Sequence, residues 1–222
     1  MTWKQMFTSS LGKKYLMGLT GFFLIIYLIV HASINALIFY DDQGATFSVA
    51  AHFMVQNYFV RFLEIGLFAV FILHSIQGLL LWQQNRNARK VKYHVKKYPQ
   101  EIKWASRYMG WLGTFLLLFL VMHLWHFWAD TKSELYLNGP EVDLYQKMKV
   151  IFTNPIWFSL YMVGLASLLF HLLHGFQSAF QSFGINHRRW TPIVKGIGIF
   201  YSIAITLLFA SMPIAFMVGW LQ

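Results

Sequence analysis

The sequence predicts an all-α integral membrane protein, a bundle of five transmembrane helices, and three observations carry that expectation. Of the 222 residues, 57 % are hydrophobic and only 12 % are charged, a balance that soluble domains do not keep. Five apolar stretches reach the roughly 20 residues that a helix needs to cross a hydrocarbon core of about 30 Å. None of them alternates with period two. In lipid every backbone group must be satisfied within a helix or a closed barrel, so strands are excluded and helices remain.

The stretches run at about 15–40, 61–82, 108–129, 155–183 and 192–221. The first follows Lys13 and Lys14. It is too long for a secretory signal and lacks a small-residue cleavage site, so it is read as a retained helix. The second carries Arg61 and Glu64 near one end, at the i,i+3 spacing of a helical ion pair, and the two are expected to pair with each other. Trp82, Trp104, Trp128, Trp157 and Trp220 stand at span ends, where indole rings form interfacial belts. No tandem repeat, linker or low-complexity segment interrupts the chain, so residues 1–222 are expected to form a single domain.

The net charge of +10 would suggest nucleic acid in a soluble protein. Here its distribution is topological. The amino-terminal Lys4, Lys13 and Lys14, the loop bearing Arg86, Arg89, Lys90, Lys92, Lys96, Lys97, Lys103 and Arg107, and the loop bearing Arg188, Arg189 and Lys195 hold 14 of the 18 basic residues. The opposite side holds Arg61, Lys132, Lys147 and Lys149, together with Asp41, Asp42, Asp130, Glu134, Glu141 and Asp143. By the positive-inside rule the amino terminus is cytoplasmic and the carboxyl terminus lies outside, and no nucleic-acid partner is expected. The long basic loop at 83–107 faces the cytoplasm, toward anionic headgroups or a soluble partner.

The chain has no cysteine, which removes disulfides, thiolate-bound iron–sulfur clusters and cysteine-bound zinc. Histidine is left as the main metal ligand, and nine are present. Four spans carry histidine inside the apolar run: His31; His74; His123 and His126; His171 and His174. Ionisable groups at membrane depth are costly and usually functional, the plain alternative being a neutral imidazole bonded to a neighbouring carbonyl. At about 1.5 Å per residue, His31 and His123 fall toward the outer face, His74 and His171 toward the cytoplasm. Two histidines on facing helices at one depth suit a six-coordinate haem, whereas zinc wants three or four ligands at one level. Bis-histidine iron has no open position, which favours electron transfer over oxygen activation.

The expected architecture is therefore a five-helix bundle with haem between the helices. Depth of burial favours His123 over His126, while His171 and His174 are left undecided by spacing. His52, His94 and His187 read as loop or interface histidines. Gly18, Gly21, Gly66, Gly78, Gly110, Gly113, Gly164 and Gly175 accompany the histidine spans, as haem clearance or as ordinary close packing. Lys13, Lys14 and Arg107 are the cations available to propionates at the cytoplasmic level.

The segments LIVHASIN around His31, AAHFM around His52, FLEI at 62–65, LHSIQG around His74, VMHLW around His123 and LFHLLHGFQSAFQSFGI around His171 extend the argument. In these the chain resembles, over nearly its whole length, the five-helix di-haem cytochrome b subunit that anchors succinate:quinone oxidoreductases of the menaquinone type. The resemblance implies a bacterial cytoplasmic membrane protein with two b-type haems, His31 and His123 ligating the outer one and His74 and His171 the inner one. On helix four it selects His171 over His174, through Gly175 four positions later. It also implies two partners, a flavoprotein subunit that handles succinate and an iron–sulfur subunit. Neither flavin nor cluster motifs occur here, so this chain alone is not expected to turn over dicarboxylate. Leu169 stands where some di-haem fumarate reductases carry a glutamate, a departure that removes a residue from a compensating proton path.

Quinone carbonyls need hydrogen-bond donors beside an apolar slot, and near the outer level the candidates are Asn35, His52, Trp128 and Asn154. Menaquinone as the quinone rests on the resemblance. Two competing readings are the cytochrome b subunit of a membrane hydrogenase or formate dehydrogenase, and a haem-free multi-pass transporter or assembly protein. Transporters often show inverted repeats or broken helices, and the sequence shows neither.

Overall fold

The computed structural model describes residues 9–40, 42–87, 103–137 and 142–221. Five helical spans are long and apolar enough to cross a membrane, and no strand occurs among the described residues. The first is α1 (Ser10–Ala36), capped by Ser9, whose Oγ accepts the Gly12 N–H at 3.1 Å, and ending in a 3-10 turn at Leu37–Phe39. The second is α3 (Tyr58–Asn87). The third starts as α4 (Lys103–His123), passes through a π turn at Leu124–Trp128 and continues as α5 (Ala129–Leu137). The fourth, α7 (Pro155–Ser182), begins where Asn154 Oδ1 accepts the N–H groups of Ile156 (2.9 Å) and Trp157 (3.3 Å). The fifth is α8 (Trp190–Met217).

Two shorter helices at one end of the bundle are absent from the hydropathy reading. They are α2 (Ala45–Gln56) and α6 (Leu144–Phe152). At 12 and 9 residues they fall short of a membrane span. Each buries one face only, Phe47 and Ala51 on α2, Tyr145, Met148, Ile151 and Phe152 on α6. Gly44 at φ +83° opens α2, and a Cβ there would run into the ring of Tyr145. The Asp42 carboxylate accepts the N–H groups of Thr46 (2.8 Å) and Gly44 (3.1 Å). Bonds from the Thr46 side chain and then its backbone hold this carboxyl below its ordinary range.

The bundle is organised around α7, which packs against α8, α4 and α1, while α1 also packs against α3. Ser167 Oγ donates to Leu112 O at 3.0 Å, tying α7 to α4, and Tyr201 OH donates to Ile25 O at 2.8 Å, tying α8 to α1. One apolar cluster fills the middle, with Ile25 and Ala32 of α1 against Leu165, Leu168, Leu172 and Phe176 of α7 and Ile205 and Ala210 of α8. A second lies at the end bearing α2 and α6, where their buried faces meet Ile38, Tyr161, Met212 and Phe216. By contrast α3 buries only Gln77 and exposes Phe62, Ile65, Ile72 and Ile76, as a helix facing lipid tails would.

The expected pairing of Arg61 with Glu64 is not the one formed. Glu64 reaches across to Lys132 at 2.7 Å and also accepts from Trp128 Nε1, while Arg61 donates to Tyr136 OH at 2.6 Å and lies over the rings of Tyr58 and Tyr136. The π turn places one more residue per turn on this face, and with it α5 presents both Lys132 and Tyr136 to α3. His52 lies on a helix, α2, and not in a loop. Lys4, Arg89, Lys90, Lys92, Lys96, Lys97, Asp41, His94 and Glu141 lie outside the described residues, as do the side chains of Trp104 and Arg107.

Candidate cofactor sites

Two histidine pairs meet across the bundle interior. The rings of His31 (α1) and His123 (α4) have centroids 5.9 Å apart, and those of His74 (α3) and His171 (α7) are 6.2 Å apart. Two imidazoles sharing one metal at about 2 Å each hold their ring centres about 6 Å apart. The observed separations match that value, so each pair leaves room for one metal between its rings. Among the described residues no three or more His, Asp or Glu converge into a metal cluster. The histidines come together in twos.

Glycines face two of these rings in a repeated way. Gly21 on α1 faces His74, where a Cβ would stand 3.4 Å from its Cε1, and Gly113 on α4 faces His171, where a Cβ would stand 3.7 Å from its Cε1. In both helices the next histidine, His31 or His123, follows ten residues later. At 1.5 Å per residue that puts the two levels about 15 Å apart along the bundle. Gly66 has nothing within 4 Å and Gly175 meets only Met109, so these two clear no histidine.

Polar satisfaction also marks the interior. Among the described residues four buried side-chain atoms have no hydrogen-bond partner: His123 Nδ1, His171 Nδ1, Gln77 Nε2 and Thr206 Oγ1. Two belong to the pairs, and Gln77 lies one turn from His74. Orphaned polar atoms in an otherwise apolar bundle are expensive, and their presence beside the rings fits residues awaiting a polar, metal-bearing group. At the His31 level the walls are aromatic: Tyr27 stacks on His31 (5.5 Å, 14°), Phe209 tilts against it, and Phe119 stacks on His123 (5.9 Å, 26°).

His126 behaves differently from its neighbour. Within the π turn its Nδ1 is 3.0 Å from Tyr161 OH, its ring stacks on Tyr161 at 13° and meets Trp157 edge-on. It is 9 % exposed, whereas His123 is half-buried. Side chains of α7 hold His126, while His123, the deeper of the two, turns toward His31. His174 has no ring contact with the paired histidines.

Against this geometry the chain was compared with known proteins. It is 29 % identical over 162 residues, 72 % of its own length and 73 % of the relative's, to the succinate dehydrogenase cytochrome b558 subunit of Bacillus subtilis (strain 168). The likeness to that cytochrome b subunit covers most of both chains. No family model matches it, and no solved structure does.

The remaining sequence-derived candidates are dispersed. Asn35 donates to His31 O at 2.8 Å, with its amide nitrogen 3.4 Å from His31 Nδ1. Trp128 bonds Glu64, Asn154 caps α7, and His52 is exposed on α2. Between α1 and α2 a groove of about 530 Å³ is lined by Ile34, Leu37, Thr46, Val49, Ala50, Phe53 and Met54. It is apolar, and none of the four candidates lines it. Lys13 Nζ donates to Gln84 Oε1 at 3.4 Å, and Lys14 is exposed. Residues that sequence reasoning missed are Thr20, whose hydroxyl sits 3.1 Å from His74 Nδ1, and Gln77. A polar residue on the inward face of an apolar span was the available signal for both.

Proposed function

We propose that the chain is the membrane-anchoring cytochrome b subunit of a succinate:quinone oxidoreductase, holding one b-type haem between His31 and His123 and a second between His74 and His171. The observation that carries this reading is the pair of ring separations, 5.9 and 6.2 Å, on four different helices. The homologue, named as a cytochrome b subunit of succinate dehydrogenase, supports it from sequence. Haem held by these histidines would supply reversible one-electron transfer.

The residues of this chain do the rest. The imidazoles of His74 and His171 lie against the backbone at Gly21 and Gly113. The aromatic walls of Tyr27, Phe119 and Phe209 keep water from the His31 level. Gln77 Nε2, buried without a partner one turn from His74, offers a donor to a propionate, and Lys13, Lys14 and Arg107 offer cations at the basic end. The two histidine pairs, about 15 Å apart along the bundle, would hold haems that connect a cytoplasmic iron–sulfur subunit, itself served by a flavoprotein subunit, with menaquinone near the outer level. The quinone contacts we assign are Asn35, His52, Trp128 and Asn154. The amino terminus is cytoplasmic and the carboxyl terminus outside, in a bacterial cytoplasmic membrane.

The test is to purify the chain with whatever assembles with it, record reduced-minus-oxidised spectra and quantify haem. About two b-type haems per chain are expected, with a flavoprotein and an iron–sulfur protein in the same particle. Absence of haem overturns the reading, and copurification with a hydrogenase or formate dehydrogenase redirects it.

A further inference from the structure

Thr20 is 5 % exposed on α1, has no role in the helix packing described above, and presents its hydroxyl to a histidine of another helix. We propose that Thr20 is a positioning residue that holds His74 as its Nδ1–H tautomer, leaving the Nε2 lone pair as the ligating atom. The inference rests on the haem reading above and deepens it at one imidazole.

The argument follows the single hydroxyl proton. Thr20 Oγ1 donates to the carbonyl of Leu16 at 2.9 Å, with that of Met17 at 3.2 Å. Such bonding to a preceding carbonyl is the habit of threonine inside helices. Its one proton is thereby engaged within α1. Toward His74 Nδ1, 3.1 Å away, the oxygen can offer only a lone pair. The ring nitrogen must be the donor, and a neutral imidazole with its proton on Nδ1 carries its free lone pair on Nε2. Gly21, the next residue, lies against the same ring, whose Cε1 would stand in van der Waals contact, 3.4 Å, with a Cβ there. Thr20 and Gly21 together form a seat for His74.

No other paired histidine has this arrangement. His123 Nδ1 and His171 Nδ1 are buried without a partner, and the side-chain group nearest His31 Nδ1 is the Asn35 amide nitrogen, a donor, at 3.4 Å. An acceptor on the far ring nitrogen orients a ligating imidazole and raises its basicity. A more basic imidazole favours oxidised iron. Thr20 therefore lowers the midpoint potential of the haem at the His74–His171 level and leaves the other unaffected.

The experiment compares Thr20→Val, which keeps the shape and loses the hydroxyl, with Thr20→Ser, which keeps the hydroxyl. Both are made in the full chain with its natural partners and examined in native membranes. Potentiometric titration of the haem bands, electron paramagnetic resonance of the ferric haems and haem retention against a haem-scavenging protein are read. In Thr20→Val one haem is expected to titrate at a higher potential, with altered g-values, and to be lost about tenfold more readily. The second haem stays unchanged, and Thr20→Ser matches the wild type. The proposal is overturned if Thr20→Val leaves both haems unaltered, if Thr20→Ser moves them as much as Thr20→Val, or if the haem that moves is the one lost in His31→Ala. A wild-type chain without haem overturns the function reading itself, a result distinct from all three.

Discussion

At the scale of single residues, the proposed chemistry rests on four imidazoles and the atoms that face them. His31 with His123 and His74 with His171 are the partners that geometry brings ring to ring. Replacing His74 or His171 with alanine is expected to remove the same one of two haems, and replacing His31 or His123 the other, each variant retaining about half the haem by pyridine haemochrome assay. Loss of both haems in every variant, or losses crossing between the pairs, would refute the assignment. His126 stands one turn from His123 and is bonded to Tyr161 at 3.0 Å, so its replacement is expected to spare haem content.

At the scale of the helices, close approach depends on missing side chains. Gly164 on α7 lies against Phe119, and a Cβ there would overlap the ring; Phe119 in turn stacks on His123 at 5.9 Å. Gly164→Ala is expected to destabilise the chain by about 1–3 kcal/mol, the usual effect of overpacking. Gly66 on α3 has open space where a Cβ would go, so Gly66→Ala is expected to be neutral or to stabilise by up to about 1 kcal/mol. Thermal denaturation of the two variants in detergent separates these outcomes. The π turn at Leu124–Trp128 works at the same scale, since the contacts Glu64–Lys132 and Arg61–Tyr136 both join α3 to the segment after it. At the same end Lys147 of α6 bonds Asp130 of α5, and burial lowers the affinity of its amine for a proton.

At the scale of the whole molecule, charge sets direction. With 14 of 18 basic residues on one side, the end bearing α2 and α6 is expected to face outward. The chain contains no cysteine, which permits a direct check with single introduced thiols at exposed positions. In intact cells a membrane-impermeant maleimide is expected to label Val150→Cys, on α6, and to reach His187→Cys only after lysis. The reverse pattern would invert the proposed path between cytoplasmic subunits and quinone.

Hydropathy is a property of local composition, and so the five spans were legible in number and order, though the third runs on past 129 to 137, as were the positions of the paired histidines along them. Each of those readings needs only the distance along one helix. The structure supplied what depends on the rotation of one helix against another. Glu64 meets Lys132 because a π turn alters the register of the third span. His126 is bonded away from the pair because α7 brings Tyr161 and Trp157 over it, and Thr20 becomes a partner of His74 because α1 turns that face toward α3. The short helices α2 and α6 escaped the sequence for a related reason. Their apolar residues cover one face, and that face reads as a core only once Ile38, Tyr161 and Phe216 are seen to close over it. Composition and spacing thus specified a five-span membrane chain with histidines at two depths, while packing between helices determined which atoms those histidines face.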